Sequence, residues 1–77
     1  MYCINILYGN GSSLNQVVTL PTKYETKYEV FEALCELSDK FKKEGFKRTY
    51  QQGFYHWFKN YETDATRGIF VTNYKES

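Results

Sequence analysis

The chain has 77 residues, and its 10 Lys and Arg against 9 Asp and Glu give a formal net charge of +1 at pH 7. This length predicts one domain, residues 1–77, with a modest core. The near-neutral balance argues against a nucleic-acid binder that relies on bulk charge and against an acidic mimic of DNA.

Two strands are predicted before the first helix. Apolar and aromatic residues alternate with others over residues 1–8, which is the pattern of a strand. The Asn-Gly pair within residues 9–13 supplies the positive φ angles of a hairpin turn. A second strand is predicted over residues 15–20. Pro21 is expected to end it because proline has no amide hydrogen to donate to the hydrogen bonds of a sheet.

An amphipathic helix is predicted over about residues 26–44. Thr26 and Glu29 have the spacing of a capping box, with Thr26 as the N-cap. Gly45 is the expected stop at the C-terminal end. The apolar side chains recur at helical spacing and form one stripe, which has to pack on another element. The members of this stripe are Val30, Phe31, Leu34, Leu37 and Phe41.

Three further strands are predicted over residues 46–51, 54–61 and 68–74, joined by a turn at 51–53 and a polar loop at 62–67. The element order is therefore β-β-α-β-β-β. A single amphipathic helix needs a sheet face to cover its stripe. We therefore expect an α+β fold, a two-layer sandwich with the helix packed on an antiparallel sheet of four to five strands.

The fourth predicted strand is aromatic on both of its faces. Residues 53–61 hold the only Trp and the only His of the chain, and five of these nine residues are Phe, Tyr or Trp. Successive residues of a strand point to opposite faces, so only one set can enter the core. One choice exposes Tyr55 and Trp57 together with Phe70 and Tyr74. The reverse choice exposes Phe54, His56 and Phe58 instead.

An uncovered aromatic sheet face is typical of an interaction site, and Trp and Tyr are favoured anchors at interface centres. The sequence therefore predicts a non-catalytic protein-binding module, an inhibitor or adaptor, whose partner is a foreign protein or a second copy in a homodimer. The predicted partner-binding residues are Tyr55 and Trp57 as anchors, Lys47, Arg48 and Lys59 as a basic rim, and Tyr74.

The alternative is a small nucleic-acid-binding protein that uses the same aromatic side chains. Every base has a face that stacks on an aromatic ring, and the local Lys and Arg residues would contact phosphates. Lysines near a helix C-terminus also have a simpler use, because they interact favourably with the helix dipole. Binding to nucleic acid would weaken steeply with salt, whereas an aromatic protein interface would depend on salt far less.

Catalytic and metal sites are not predicted. His56 is the only general base that titrates near neutrality, and no spacing links it to Cys3 or Cys35. A metal site needs three or four convergent ligands. The glycine-rich segment 9–13 lacks Gly-Lys-Ser/Thr and precedes a strand, so it is not expected to bind phosphate. We therefore expect neither an enzyme nor a cofactor.

The location predicted from the sequence is the cytosol, with no membrane association. No apolar run is long enough to span a bilayer, and residues 1–5 do not have the basic-then-apolar pattern of a signal peptide. The two cysteines are then expected to be free thiols. Amino-acid usage skewed to Lys, Tyr, Phe and Asn is typical of A/T-rich genomes such as those of low-GC bacteria and their phages. This favours a protein encoded by a phage or mobile element that acts on a host factor.

Overall fold

In the part of the chain that the structure describes, five strands form one antiparallel sheet, and one helix packs on one of its faces. The computed structural model describes residues 1–11 and 13–73. The sheet order is β2-β1-β5-β4-β3, so the last strand lies at the centre. This confirms the predicted α+β sandwich and its element order. The elements are β1 Tyr2–Asn10, β2 Ser13–Tyr24, α1 Lys27–Lys43, β3 Lys47–Gln52, β4 Tyr55–Lys59 and β5 Ala65–Asn73.

Helix α1 begins and ends close to the predicted residues. The Thr26 hydroxyl accepts a hydrogen bond from the Glu29 amide at 3.1 Å, which satisfies one of the free donors of the first turn. Gly45 follows the helix with a φ of 98°. Phe31, predicted for the buried stripe, is 41% exposed. It lies at the margin of the helix–sheet contact, where its ring meets Phe54 edge-on at 5.8 Å.

The core lies between α1 and the sheet. Phe58 of β4 is 1% exposed, and its ring lies 5.4 Å from that of Phe41, in the edge-to-face arrangement that aromatic pairs prefer. His56 is equally buried, two residues before Phe58 on the same strand face. The buried apolar side chains that form the core are Ile4, Ile6, Val30, Leu34, Phe41, Phe46, Phe58 and Ile69.

Strand β2 continues through Pro21 to Tyr24, so the prediction that Pro21 ends this strand was wrong. β2 is an edge strand, and its register with β1 shifts beside the proline. Cys3 and Asn5, two residues apart on β1, are opposite Lys23 and Thr19, which are four apart on β2. An edge strand with such a bulge tolerates a residue that has no amide hydrogen.

Strand β5 begins at Ala65, so the predicted polar loop over residues 62–67 was too long by its last residues. Arg67 belongs to the strand and lies on the helix side of the sheet. Its guanidinium lies 4.7 Å from the ring centre of Tyr8 and 5.0 Å from that of Phe46. The faces of aromatic rings attract a cation, so the charged side chain of Arg67 can be half-buried in a strand.

Candidate interaction surface on the outer sheet face

The outer face is the side of the sheet turned away from α1. On β4, His56 and Phe58 are buried beneath the helix, whereas Tyr55 and Trp57 are half-buried on the opposite side. Phe70 of β5 is paired opposite Tyr55 and lies on this outer face too. Of the two arrangements left open by the sequence, the structure therefore has the one that exposes Tyr55 and Trp57.

Five residues from the five strands form one row across the outer face, which we call the central row. The strand registers align them, because each is the direct partner of the next. Neighbouring strands lie about 4.8 Å apart, so the row is about 19 Å long. The side chains at its two ends are 49% and 55% exposed. The central row consists of Tyr50, Trp57, Gly68, Leu7 and Val17.

Gly68 leaves a gap in the central row that its neighbours fill. A Cβ at this position would lie 2.9 Å from Cδ1 of Leu7 and 3.0 Å from Cζ3 of Trp57. The two side chains therefore lean over the glycine from the strands on either side. The absence of a side chain at Gly68 lets the indole lie low against the sheet.

Tyr55, Phe70 and Trp57 form one continuous cluster of rings, which we call the aromatic cluster. Tyr55 stacks on Phe70 with 5.9 Å between ring centres, and it lies 5.7 Å from Trp57. Aromatic pairs at these distances attract one another. Because each ring is already held by a neighbour, binding a partner would cost little side-chain entropy. Tyr74, predicted as a further member, lies outside the described residues.

Asn5 is a buried polar residue beside the aromatic cluster, and sequence reasoning missed it. Its side-chain amide donates to the Thr72 hydroxyl at 3.1 Å and toward the Phe70 carbonyl at 3.4 Å, and its oxygen accepts from the Thr19 hydroxyl at 2.6 Å. These bonds join β1 to both of its neighbours. Asn5 therefore fixes strand register, and both of its amide hydrogens are used within the sheet.

The predicted basic rim is divided between the two faces of the sheet. Lys47 is paired with Lys59, and both lie on the outer face. Arg48, predicted for the same rim, is opposite Phe58 and lies on the helix side, because adjacent strand residues point in opposite directions. Lys59 also forms an ion pair with Asp64 at 3.2 Å. The outer rim therefore has two of the three predicted cations, and one of them already has an anionic partner.

The charges of the sheet are all positive. No Asp or Glu occurs within the residues of β1 to β5, whereas five Lys and Arg do. The acidic residues lie in α1, in the connecting segments and near the C-terminus. The outer face is therefore aromatic and mildly basic. The cations of the strands are Lys23, Lys47, Arg48, Lys59 and Arg67.

His56 lies on the helix side and is not part of the outer face. Its Nε2 donates to the Gly53 carbonyl at 3.2 Å, and Nδ1 has no hydrogen-bond partner among the described residues. Burial lowers the pKa of this imidazole from its ordinary value of 6.5, and the positive charges of Arg48 and Lys42 lower it further. The neutral ring is thus favoured, and 1% exposure gives it no contact with an external substrate.

Metal-ligand clusters and membrane-spanning helices are both absent from residues 1–11 and 13–73. No three His, Cys, Asp or Glu side chains in these ranges are grouped so that they could hold a metal ion. The same ranges contain no helix with the length and apolar character needed to cross a bilayer. Comparisons with protein-family models, with curated proteins and with solved structures give no match for this chain, so the outer face itself is the basis for assigning a function.

Proposed function

We propose that this protein is a non-catalytic protein-binding module, an inhibitor or adaptor, that binds its partner through the outer face of the sheet. The observation that supports this is the aromatic cluster of Tyr55, Trp57 and Phe70, which no element of the described chain covers. Trp and Tyr are enriched at the centres of protein interfaces, where a few such residues supply most of the binding energy.

The charge of the outer face defines the chemistry of the partner. The centre of the face is apolar, and Lys47 and Lys59 lie at one margin without any acidic strand residue. Complementary charges at an interface rim steer association and fix orientation. The matching surface is therefore a protein patch that is apolar at its centre and carries Asp or Glu where it meets Lys47.

A foreign partner is favoured over a second copy. A two-fold symmetric dimer brings the same patch of both subunits together. The strands supply cations to this face and no acidic side chain, so a second copy would offer the basic rim no complementary strand charge. We therefore expect the free protein to be monomeric, which sedimentation equilibrium at several concentrations measures directly.

Single-stranded nucleic acid is the second candidate, and the excess of strand cations favours it. Stacking of bases requires ring faces that are free, together with cations that track the phosphates. Here Tyr55 and Phe70 stack on each other, and Lys59 is engaged by Asp64. The surface is therefore better suited to the flat contact of a protein interface.

Affinity capture with matched variants tests the proposal. The immobilised protein is incubated with lysate of its source cell, with and without nuclease. Tyr50→Ala alters an exposed end of the central row, and Tyr28→Ala removes a tyrosine exposed on α1 as the matched control. We expect one partner protein to remain bound after nuclease treatment. The Tyr28→Ala variant should retain as much of it as the wild type, and the Tyr50→Ala variant should retain less.

Two results would overturn this assignment. If nuclease abolishes retention of the partner, the outer face would instead be assigned to nucleic-acid binding. Retention that is equally strong for Tyr50→Ala and for a Trp57→Ala variant shown to be folded would place the interaction elsewhere on the protein.

A further inference from the structure

We propose that the groove between α1 and β2 is a second binding site, which takes an amphipathic helix whose apolar face is flanked by Lys or Arg. This site lies on the helix side of the sheet. It does not depend on the function proposed for the outer face.

The groove exists because one helix cannot cover five strands. A helix with its side chains is about 10–12 Å across, whereas the sheet is about 19 Å wide between its outer strands. On the β2 side, two adjacent cavities of about 260 and 300 Å³ share Tyr24, Ala33 and Glu36 in their linings. Ile4, Leu20 and Leu37 complete the apolar floor of the first cavity.

One wall of the groove is acidic. Glu29, Glu32 and Glu36 are exposed and follow one another three and four residues apart, so they lie along one stripe of α1. The stripe is roughly 10 Å long from Glu29 to Glu36. Lys40 lies at the other end of the groove, so the acidic stretch of this wall ends at Glu36. Apolar residues flanked by cations are the complement of this surface.

The occupant would bind through side chains and not by strand addition. Strand addition needs a regular edge with free backbone amides, and β2 has Pro21 and a bulge at this point. The groove is also open along its length, so it cannot enclose a small molecule as ligand pockets do. A helix laid in a groove presents apolar anchors at positions i, i+3, i+4 and i+7, which are the complement of the apolar floor formed by Ile4, Leu20 and Leu37.

A designed peptide tests this site directly. The probe is a helix-forming peptide of about 18 residues, with Leu at i, i+3, i+4 and i+7 and Lys on both flanks. The control peptide has Glu in place of each Lys. Backbone amide shifts in ¹⁵N spectra locate the binding. We expect saturable shifts at Leu20, Tyr24, Ala33 and Leu37 with the Lys peptide, and none with the Glu peptide.

Three variants distinguish binding in the groove from general electrostatic attraction to the protein. Ala33→Phe adds bulk at a residue that lines both cavities, and the double change Glu32→Lys and Glu36→Lys reverses the acidic wall. Each is expected to weaken binding at least about fivefold. Glu62→Lys makes the same kind of charge change in the β4–β5 loop and should leave the affinity unaltered.

Four results would overturn the proposal. Two of them concern the peptides: the Lys peptide causes no saturable shifts, or the Glu peptide binds equally well. In the other two, the shifts are centred on Tyr50 and Trp57, or shifts in the groove grow with protein concentration in the absence of peptide. The last of these would mean that a second copy occupies the groove. Should Ala33→Phe fail to fold, the exposed charge reversals still decide the outcome.

Discussion

The indole of Trp57 occupies the space that a side chain on Gly68 would fill. A Cβ at Gly68 would lie 3.0 Å from Cζ3 of Trp57, which is closer than carbon atoms in contact normally approach. The glycine is therefore needed for close approach of its neighbours and not for an unusual backbone angle. The position of the largest side chain on the outer face depends on this residue.

Gly68→Ala is expected to displace Trp57 while leaving the fold intact. The atoms that the new methyl group meets are the outer ends of Leu7 and Trp57, which can swing away. Alanine also removes the cost of glycine in a strand, so the free energy of unfolding should change by no more than about 1 kcal/mol. Tryptophan emission should shift to longer wavelength, and partner binding should weaken. Fluorescence and urea unfolding measure the two effects.

Gly53→Ala is the matched glycine control. Gly53 has a φ of +57° and open space around its Cβ position, so an alanine there introduces backbone strain without a contact. It should lower the free energy of unfolding by about 1 kcal/mol and leave the emission of Trp57 unaltered. If Gly68→Ala behaves in the same way, the close approach does not hold the indole in place.

Trp57→Ala and Phe58→Ala should differ in their cost in stability, although the residues are adjacent. Phe58 is 1% exposed in the core, so its truncation should cost about 3–5 kcal/mol, which approaches the whole stability of a small domain. Trp57 is half-buried on the outer face, so its truncation should cost about 1–2 kcal/mol and abolish binding. Circular dichroism melting and a binding assay measure both. Equal losses of stability would place Trp57 in the core.

Stability should fall as the pH drops below the ordinary pKa of histidine. The folded state favours neutral His56, because burial, with Arg48 and Lys42, lowers its pKa from 6.5 by more than the hydrogen bond to Gly53 raises it. The unfolded chain therefore binds the proton more readily. The contribution of neutral His56 is fully present above pH 6.5 and is lost as the pH falls toward the lower folded-state pKa. Urea unfolding between about pH 7.5 and pH 5 measures this slope.

His56→Gln provides the control for this pH dependence. Glutamine retains an N–H group to donate to Gly53 but does not titrate. The variant should be less sensitive to pH than the wild type across the same interval. Identical slopes in the two proteins would mean that another group is responsible.

Asn5→Ala should destabilise the fold by about 1–3 kcal/mol, because it removes the bonds that join β1 to β2 and β5. Thr72→Val removes one of these bonds and should cost about 1 kcal/mol. Since the two residues are in direct contact, the effects should not add, and the double variant should show a coupling of at least about 0.5 kcal/mol. Additive effects in urea unfolding would mean that the bond between them contributes nothing.

The salt dependence of binding should be weak. An interface centred on the aromatic cluster involves few charges, so affinity should change little with added salt. If Lys23, Lys47 and Lys59 instead contacted three phosphates, the logarithm of the affinity would fall against the logarithm of salt concentration with a slope of about −2 to −3. Binding titrations at several salt concentrations distinguish a protein partner from a nucleic acid.

The helix could be predicted closely because its signals are local. Thr26 and Glu29 are three residues apart, and the spacing of Val30, Leu34 and Phe41 is that of a helix face. The element order and the layer arrangement followed from the same reasoning, because one apolar stripe requires one sheet face.

Which side chains lie on the outer face is decided by strand pairing between residues that are distant in the chain. β4 is aromatic on both sides, and only its contact with β5, which aligns His56 with Ile69, shows which side is buried. The register shift between Arg48 and Tyr50 places Lys47 and Tyr50 on one face, although simple alternation would separate them. The prediction that Pro21 ends the second strand was wrong because a strand tolerates proline when it lies at the sheet edge. That edge position of β2 is a property of the whole sheet.

Both outer strands of the sheet are irregular, β2 at Pro21 and β3 at the register shift beside Thr49. An uninterrupted exposed edge invites another strand to join it, and repeated joining leads to cross-β fibres. The two irregular edges oppose such growth, even though the broad face of the sheet is aromatic. We therefore expect the protein to remain unpolymerised at high concentration in spite of this exposed aromatic face, and thioflavin T fluorescence should remain at baseline during prolonged incubation.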